Sequence, residues 1–153
     1  MNISNSVISP GVAPRGLTHA ANKPWHGRSN HSVLQRTGRK SILIADDDTD
    51  ARVTLGELLQ LAGHSVHLCA DGVEALRTAC AVRPDVILLD IEMPGISGYE
   101  VCGCLRGMEG FGHTRVYALS GLSGTAHDRR CEQEGFNGQL MKPLDISELE
   151  HLV

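Results

Sequence analysis

Aromatic residues are almost missing from this chain, with two Tyr, two Phe and one Trp among 153 residues. A core must therefore be assembled from Leu, Val, Ile and Ala, which suits short aliphatic strands of a parallel sheet covered by helices. Long apolar runs are missing too. No stretch approaches the ~20 residues of a membrane-spanning helix. The N-terminus also lacks the basic start and continuous apolar segment of a secretory signal. A cytoplasmic location without membrane association is expected.

C-x-x-C pairs are absent. The five cysteines (Cys69, Cys80, Cys102, Cys104, Cys131) are odd in number, and Cys102 and Cys104 stand too close together for the usual zinc spacing. They read as reduced, small apolar residues. Acids are absent from residues 1–40, which carry six bases: Arg15, Lys23, Arg28, Arg36, Arg39 and Lys40. The remainder holds eight bases against all 18 acids, a net charge of −10. That excess argues against nucleic-acid binding by the acidic part, since phosphate contacts need Lys and Arg.

What is present is ordinary for one globular domain with a tail: 41% hydrophobic and 21% charged residues. Residues 1–39, rich in Ser, Asn, Gly, Pro, Arg and His, show no periodicity. They are expected to be a disordered basic N-terminal extension. It contains Trp25, the single tryptophan. Residues 40–153 form the expected domain.

From Ser41 the pattern changes. Short aliphatic runs at Ser41–Ala45, Ser65–Cys69, Asp85–Leu89, Arg115–Leu119 and Asn137–Met141 predict five strands. Helical spacing follows each: Ala51, Leu55, Leu58, Leu59 and Ala62 before the stop at Gly63; then Val73, Leu76, Ala79 and Cys80 after a cap at Asp71. The third helix runs from Gly98 to about Arg106. A polar helix covers Thr125 to Glu134, and a short last one opens at Asp145. Asp48 reads as the cap of the first helix. Five β–α units in alternation give an α/β, doubly wound parallel sheet with helices on both faces.

The polar residues converge. In an open α/β sheet, ligands bind beyond the carboxyl ends of the strands. Here those ends carry Asp46-Asp47, Asp90, Ser120 and Lys142. Three carboxylates in one pocket repel each other and call for a cation, and hard oxygen donors suit Mg²⁺. The cation would keep Asp90 ionised, and an aspartyl carboxylate can attack phosphorus to form an acyl phosphate. The transferred group spreads charge over three oxygens, for which Mg²⁺, Lys142 and the Ser120 hydroxyl are available. Each residue alone is weak evidence, because an Asp at a strand end is commonly a turn or cap residue. The coincidence of four strand ends is what carries weight.

Asp46-Asp47, Asp90 with Met93-Pro94-Gly95 and Gly98, Ser120-Gly121 and Lys142-Pro143 together resemble the receiver domains of bacterial two-component response regulators. The resemblance covers about residues 40–153. It implies a flavodoxin-like fold with strand order 2-1-3-4-5 and makes Asp90 the phosphoacceptor. Asp46 and Asp47 would be the acidic pair for Mg²⁺, with Asp90 and the Glu92 backbone carbonyl as further metal contacts. Lys142 would be the phosphate-binding lysine, and Ser120 would stand at the hydroxyl switch position. The implied partners are a histidine kinase or histidine-phosphotransfer protein and a downstream protein target. The domain would assist its own phosphoryl transfer and dephosphorylation without being an enzyme.

The sequence departs from that family at Gln139, three residues before Lys142, where Tyr, Phe or His often serves as a second switch residue. Glu92 and Leu122 are expected to tune the lifetime of an acyl phosphate. The last helix is short, and no output domain follows Val153, so the chain reads as a stand-alone receiver or a piece of a larger kinase or regulator. Two alternatives remain at this stage. One is a degenerate receiver that binds a partner without phosphorylation, which Gln139 keeps open. The other is a haloacid-dehalogenase-like phosphatase, although that family has an Asp where Glu92 stands.

Overall fold

A computed structural model describes residues 38–153. The extension expected over residues 1–39, with Trp25, lies up to residue 37 outside the described residues. Strands and helices alternate as β1 (Ser41–Ala45), α1 (Thr49–Leu61), β2 (Ser65–Cys69), α2 (Gly72–Val82) and β3 (Val86–Asp90). They continue as α3 (Gly98–Gly107), β4 (Arg115–Ser120), α4 (Thr125–Glu134), β5 (Gly138–Met141) and α5 (Ile146–Leu152). The five strands form one sheet in the order β2-β1-β3-β4-β5, and every pairing is parallel.

Side chains alternate across a strand, and here the alternation separates two cores. Leu43, Ala45, Ile87, Leu89, Val116 and Ala118 face α2, α3 and α4, where Ala75, Ala79, Val101, Leu105 and Cys131 meet them. Ile42, Ile44, Val86, Leu88 and Leu119 face the other way, onto Leu55 and Leu59 of α1 and Leu149 of α5. The central β3 is buried at every position, as a strand covered on both faces must be.

The helix starts follow local chemistry. Asp48 accepts hydrogen bonds from the backbone N–H groups of Asp50 and Ala51, each at 3.0 Å. Asp71 accepts from Glu74 N–H at 2.8 Å, and Asp145 from Ser147 N–H at 2.8 Å. At α3, Ser97 and Glu100 form a reciprocal capping box.

The inward face of α2 differs from the sequence expectation. Val73 is 50% exposed and Cys80 is also exposed, while Gly72, Ala75 and Ala79 are buried. The reason is close approach. A β-carbon at Gly72 would stand 2.7 Å from the Ile96 carbonyl oxygen and 2.8 Å from Val101 Cγ2. Only a small residue fits at that point, so Val73 is turned outward, while Leu76 farther along packs partly buried against the core. α1 departs from the expectation differently: Leu55 and Leu59 are buried as expected and Gly56 lies beneath Leu68, but Ala51 and Ala62, at the two ends of the stripe, are exposed. Among the described residues no helix is long and apolar enough to cross a membrane.

Candidate functional site

The parallel register brings the carboxyl ends of β1, β3, β4 and β5 to one edge. Asp90 pairs with Leu119, and Ser120 with Met141. The Ile91 N–H donates to the Leu119 carbonyl at 3.1 Å, and the Lys142 N–H to the Ser120 carbonyl at 2.9 Å. These backbone bonds carry the ladder one residue past the strand ends, so the turn into each following loop is held by the sheet itself.

Carboxylate oxygens of Asp46, Asp47 and Asp90 lie within 4.8 Å of one another; Asp46 and Asp90 are buried and Asp47 is exposed. Lys142 reaches across from the end of β5. Its Nζ lies 2.8 Å from Asp46 Oδ2 and 3.3 Å from Asp90 Oδ2. Asp46 Oδ1 also accepts from Asp48 N–H at 2.9 Å, and Asp90 Oδ1 from Glu92 N–H at 3.2 Å. The hydroxyl of buried Ser120 accepts from Leu122 N–H at 2.9 Å and so is engaged by its own loop.

The charges do not balance, because three carboxylates face one ammonium. Burial, and then the negative charge of Asp46, push the Asp90 carboxyl above its ordinary range, against the pull of Glu92 N–H and Lys142. Burial opposes the charge on Lys142, but its hydrogen bond to Asp46 and the charges of Asp90 and Asp46 outweigh that and raise its pKa. A second cation would offset the repulsion between the Asp46 and Asp90 carboxylates. Three hard oxygen donors converging at one rim fit an oxygen-loving divalent ion such as Mg²⁺.

Asp46, Asp47, Asp90 and Lys142 are thus brought together, with Ser120 on the adjoining strand. Glu92 is exposed, contributing its N–H to Asp90, and Leu122 is 42% exposed. Gln139 is not in the pocket. Its Nε2 donates to Asp128 Oδ1 of α4 at 2.9 Å.

Two contributions go beyond the sequence reading. Gly98, which belongs to the receiver-like motif and opens the third helix, is required there by close approach. A β-carbon on it would sit 2.3 Å from the Asp90 carbonyl oxygen, and its N–H donates to the Ile91 carbonyl at 3.2 Å. This glycine clamps α3 directly against the residue that carries the central carboxylate. The other is Arg52, whose guanidinium donates to the Asp46 carbonyl. Its only sequence signal is a base in the first turns of a helix following an acidic strand end.

Residues 42–153 match the family model described as the response regulator receiver domain. The transcriptional regulatory protein PrrA of Mycobacterium leprae is 40% identical over 109 residues, covering 71% of this chain and 46% of that protein. The chain therefore spans less than half the length of that relative. Among solved structures, the Vibrio cholerae chemotaxis protein CheY4 superposes with a TM-score of 0.71 at 28% identity, over 76% of this chain and 100% of that one. The receiver domain of the Pseudomonas aeruginosa sensor histidine kinase PA1611, solved with a magnesium ion coordinated in its active-site cleft, gives 0.69 at 30% identity, over 75% and 94% of the two chains. The chain belongs to the response regulator receiver domain family of two-component signalling.

Proposed function

We propose that this receiver domain accepts a phosphoryl group on Asp90. The observation that carries the reading is the three-carboxylate rim bridged by Lys142, whose ammonium contacts both buried acids. A carboxylate oxygen of Asp90 would form a bond to phosphorus as the bond from phosphorus to the donor's leaving group breaks. The donor is a phosphohistidine of a kinase or phosphotransfer protein, or a small acyl phosphate.

The residues divide the work. Asp46, Asp47, Asp90 and the Glu92 carbonyl would hold Mg²⁺, which supplies positive charge to the transferring oxygens when bound. Lys142, already 3.3 Å from Asp90, moves from neutralising a carboxylate to neutralising the phosphoryl group. Ser120 releases the Leu122 N–H and offers its hydroxyl to a phosphoryl oxygen. Glu92 and Leu122, both exposed beside the pocket, control water access to the acyl phosphate and hence its lifetime. The chain then acts as a cytoplasmic switch that changes its affinity for a downstream protein, not as an enzyme that turns over a substrate.

Incubating the full chain with Mg²⁺ and acetyl phosphate and recording the intact mass tests this. One added phosphoryl group is expected, and none after chelation of Mg²⁺ or in Asp90→Asn. No gain with acetyl phosphate and none with a phosphorylated histidine-phosphotransfer protein would leave the phosphorylation-independent binding module as the reading.

A further inference from the structure

The five cysteines divide by position. Cys69, Cys102 and Cys131 are buried, and burial raises all three thiols, to about 12 for Cys102 and about 11 for Cys131. Those three keep their protons and belong to the core. Cys80 of α2 and Cys104 of α3 are exposed, so neither is the small core residue that the sequence suggests.

Cys80 does not stand alone. Its Sγ lies 3.9 Å from Sδ of Met108, which follows α3 and is itself 40% exposed. Cys104 precedes Met108 by four residues, and residues at that spacing share a helix face. That face of α3 is the one turned to α2. Val101, a turn before Cys104, is where a β-carbon on Gly72 of α2 would touch, at 2.8 Å. Arg83, just past α2, donates to the Glu109 carbonyl at 2.7 Å. The two helices therefore run side by side, with Cys80, Cys104 and Met108 along the seam where they end.

The seam lies at the opposite end of the sheet from the acidic rim. Both helices lead into strand starts, Val86 of β3 and Arg115 of β4, whereas the three aspartates stand at strand ends. An ion at one place does not compete for ligands with an ion at the other.

The donor set selects the guest. Among the described residues the acidic rim is the only group of three His, Cys, Asp or Glu side chains close enough to hold an ion. The seam thus lacks the four such ligands of a structural Zn²⁺ site and the oxygens that Mg²⁺ takes. A thioether is a soft neutral donor, and with thiolates it favours Cu(I). With metal–sulfur bonds of about 2.3 Å, sulfurs 3.9 Å apart subtend about 115° at the metal. That angle is close to trigonal and leaves one position for a third sulfur.

We propose that Cys80 and Met108, completed by Cys104, form a binding site for one soft monovalent metal ion of the Cu(I) class. Each of the two thiols releases a proton to water as its sulfur bonds to the metal. Met108 donates a lone pair and loses nothing, and no electron is transferred. The bound ion ties the end of α2 to the end of α3.

Anaerobic titration of the full chain with Cu(I), against a chromophoric Cu(I) chelator, tests this on the parent and on Cys80→Ser, Cys104→Ser and Met108→Leu. All three side chains are exposed, so the substitutions leave the core intact. Met141→Leu is the control, a methionine of similar exposure (39%) at the end of β5. The parent should take one Cu(I). Each seam variant should weaken binding by at least about tenfold, the lower end of the range for losing a group that merely orients a metal ligand. Met141→Leu should match the parent. X-ray absorption of the loaded parent should show three sulfur neighbours and no nitrogen or oxygen. Full affinity in Cys80→Ser or Met108→Leu would overturn the site, and full affinity in Cys104→Ser would overturn its third ligand. Nitrogen neighbours would put the copper on histidines and overturn it as well. None of these results depends on whether Asp90 is phosphorylated.

Discussion

α3 and α4 are neighbours of equal length, ten residues each, packed on the same sheet face. They are fixed by opposite means. α3 buries Gly98, Tyr99, Val101, Cys102 and Leu105, begins with a capping box, and is tied down near its end by Arg106. That guanidinium donates to the carbonyls of Gly135 (2.8 Å), Phe111 (3.0 Å) and Thr114 (2.9 Å) and to Asn137 Oδ1 (2.7 Å). α4 buries two residues, has no side-chain cap, and is held by polar contacts of Tyr99 with His127 and of Gln139 with Asp128. Apolar burial is non-directional and is lost only by exposing area to water, whereas a hydrogen bond can be exchanged for another at little net cost. α3 is accordingly the fixed wall beneath the loop that follows Asp90, and α4 is the less firmly anchored of the two.

The contrast can be broken from the α3 side, where the largest effect is expected. Leu105→Ala should cost about 2–5 kcal/mol of stability in urea unfolding, the range for emptying a fully buried leucine site. Cys131→Ala on α4 should cost roughly 1 kcal/mol, because it removes one small group and a weak sulfur contact. Comparable losses would mean that α4 is anchored as firmly as α3.

Arg106→Met should cost about 2–3 kcal/mol, since it strips a charged donor from three carbonyls and the Asn137 side chain at once. Its effect should appear as faster hydrogen exchange at the end of α3 and at the start of β4. The acidic rim and its Lys142 contacts are untouched by this change.

Ser97→Ala, which removes the α3 cap, should cost about 1 kcal/mol. It also sharpens the comparison through pH. The Glu100 carboxyl is held below its usual range by the Ser97 backbone N–H and then by the Ser97 hydroxyl. Its contribution is therefore complete above the unfolded-state carboxylate pKa and fades as pH falls through the lowered folded-state value. In acid titrations of stability, the hydroxyl's share of that dependence should vanish in Ser97→Ala.

Strands were legible because each is an aliphatic run closed by a polar residue, and all five were placed within a residue or so of their bounds. Legibility of the rim has the same source: the residues that end the runs are those that the parallel register aligns. Helix faces were harder. Val73 looked inward by hydrophobicity, but a backbone–backbone approach at Gly72 selects small residues there, and hydropathy does not encode that distance. The Tyr99–His127–Gln139 contacts were invisible for a different reason. They join residues of three elements, and their partners are fixed only after the sheet order is fixed. One local sign existed, because His127 and Cys131 lie four residues apart on an otherwise polar helix and so mark its inward side. Gln139 stood out only as a departure from the family, and its partner on α4 came from the structure.

The central claim is that Asp90, and no other side chain, takes the phosphoryl group. Reductive trapping tests it most directly, because borohydride converts an aspartyl phosphate, but not a free carboxylate, into homoserine. The full chain would be phosphorylated with acetyl phosphate and Mg²⁺, trapped, digested and mapped by peptide mass. The account predicts homoserine at position 90 and unmodified aspartates at 46 and 47. Trapping at either of those, or a stable phosphoryl group on a histidine or serine with position 90 unmodified, would contradict it.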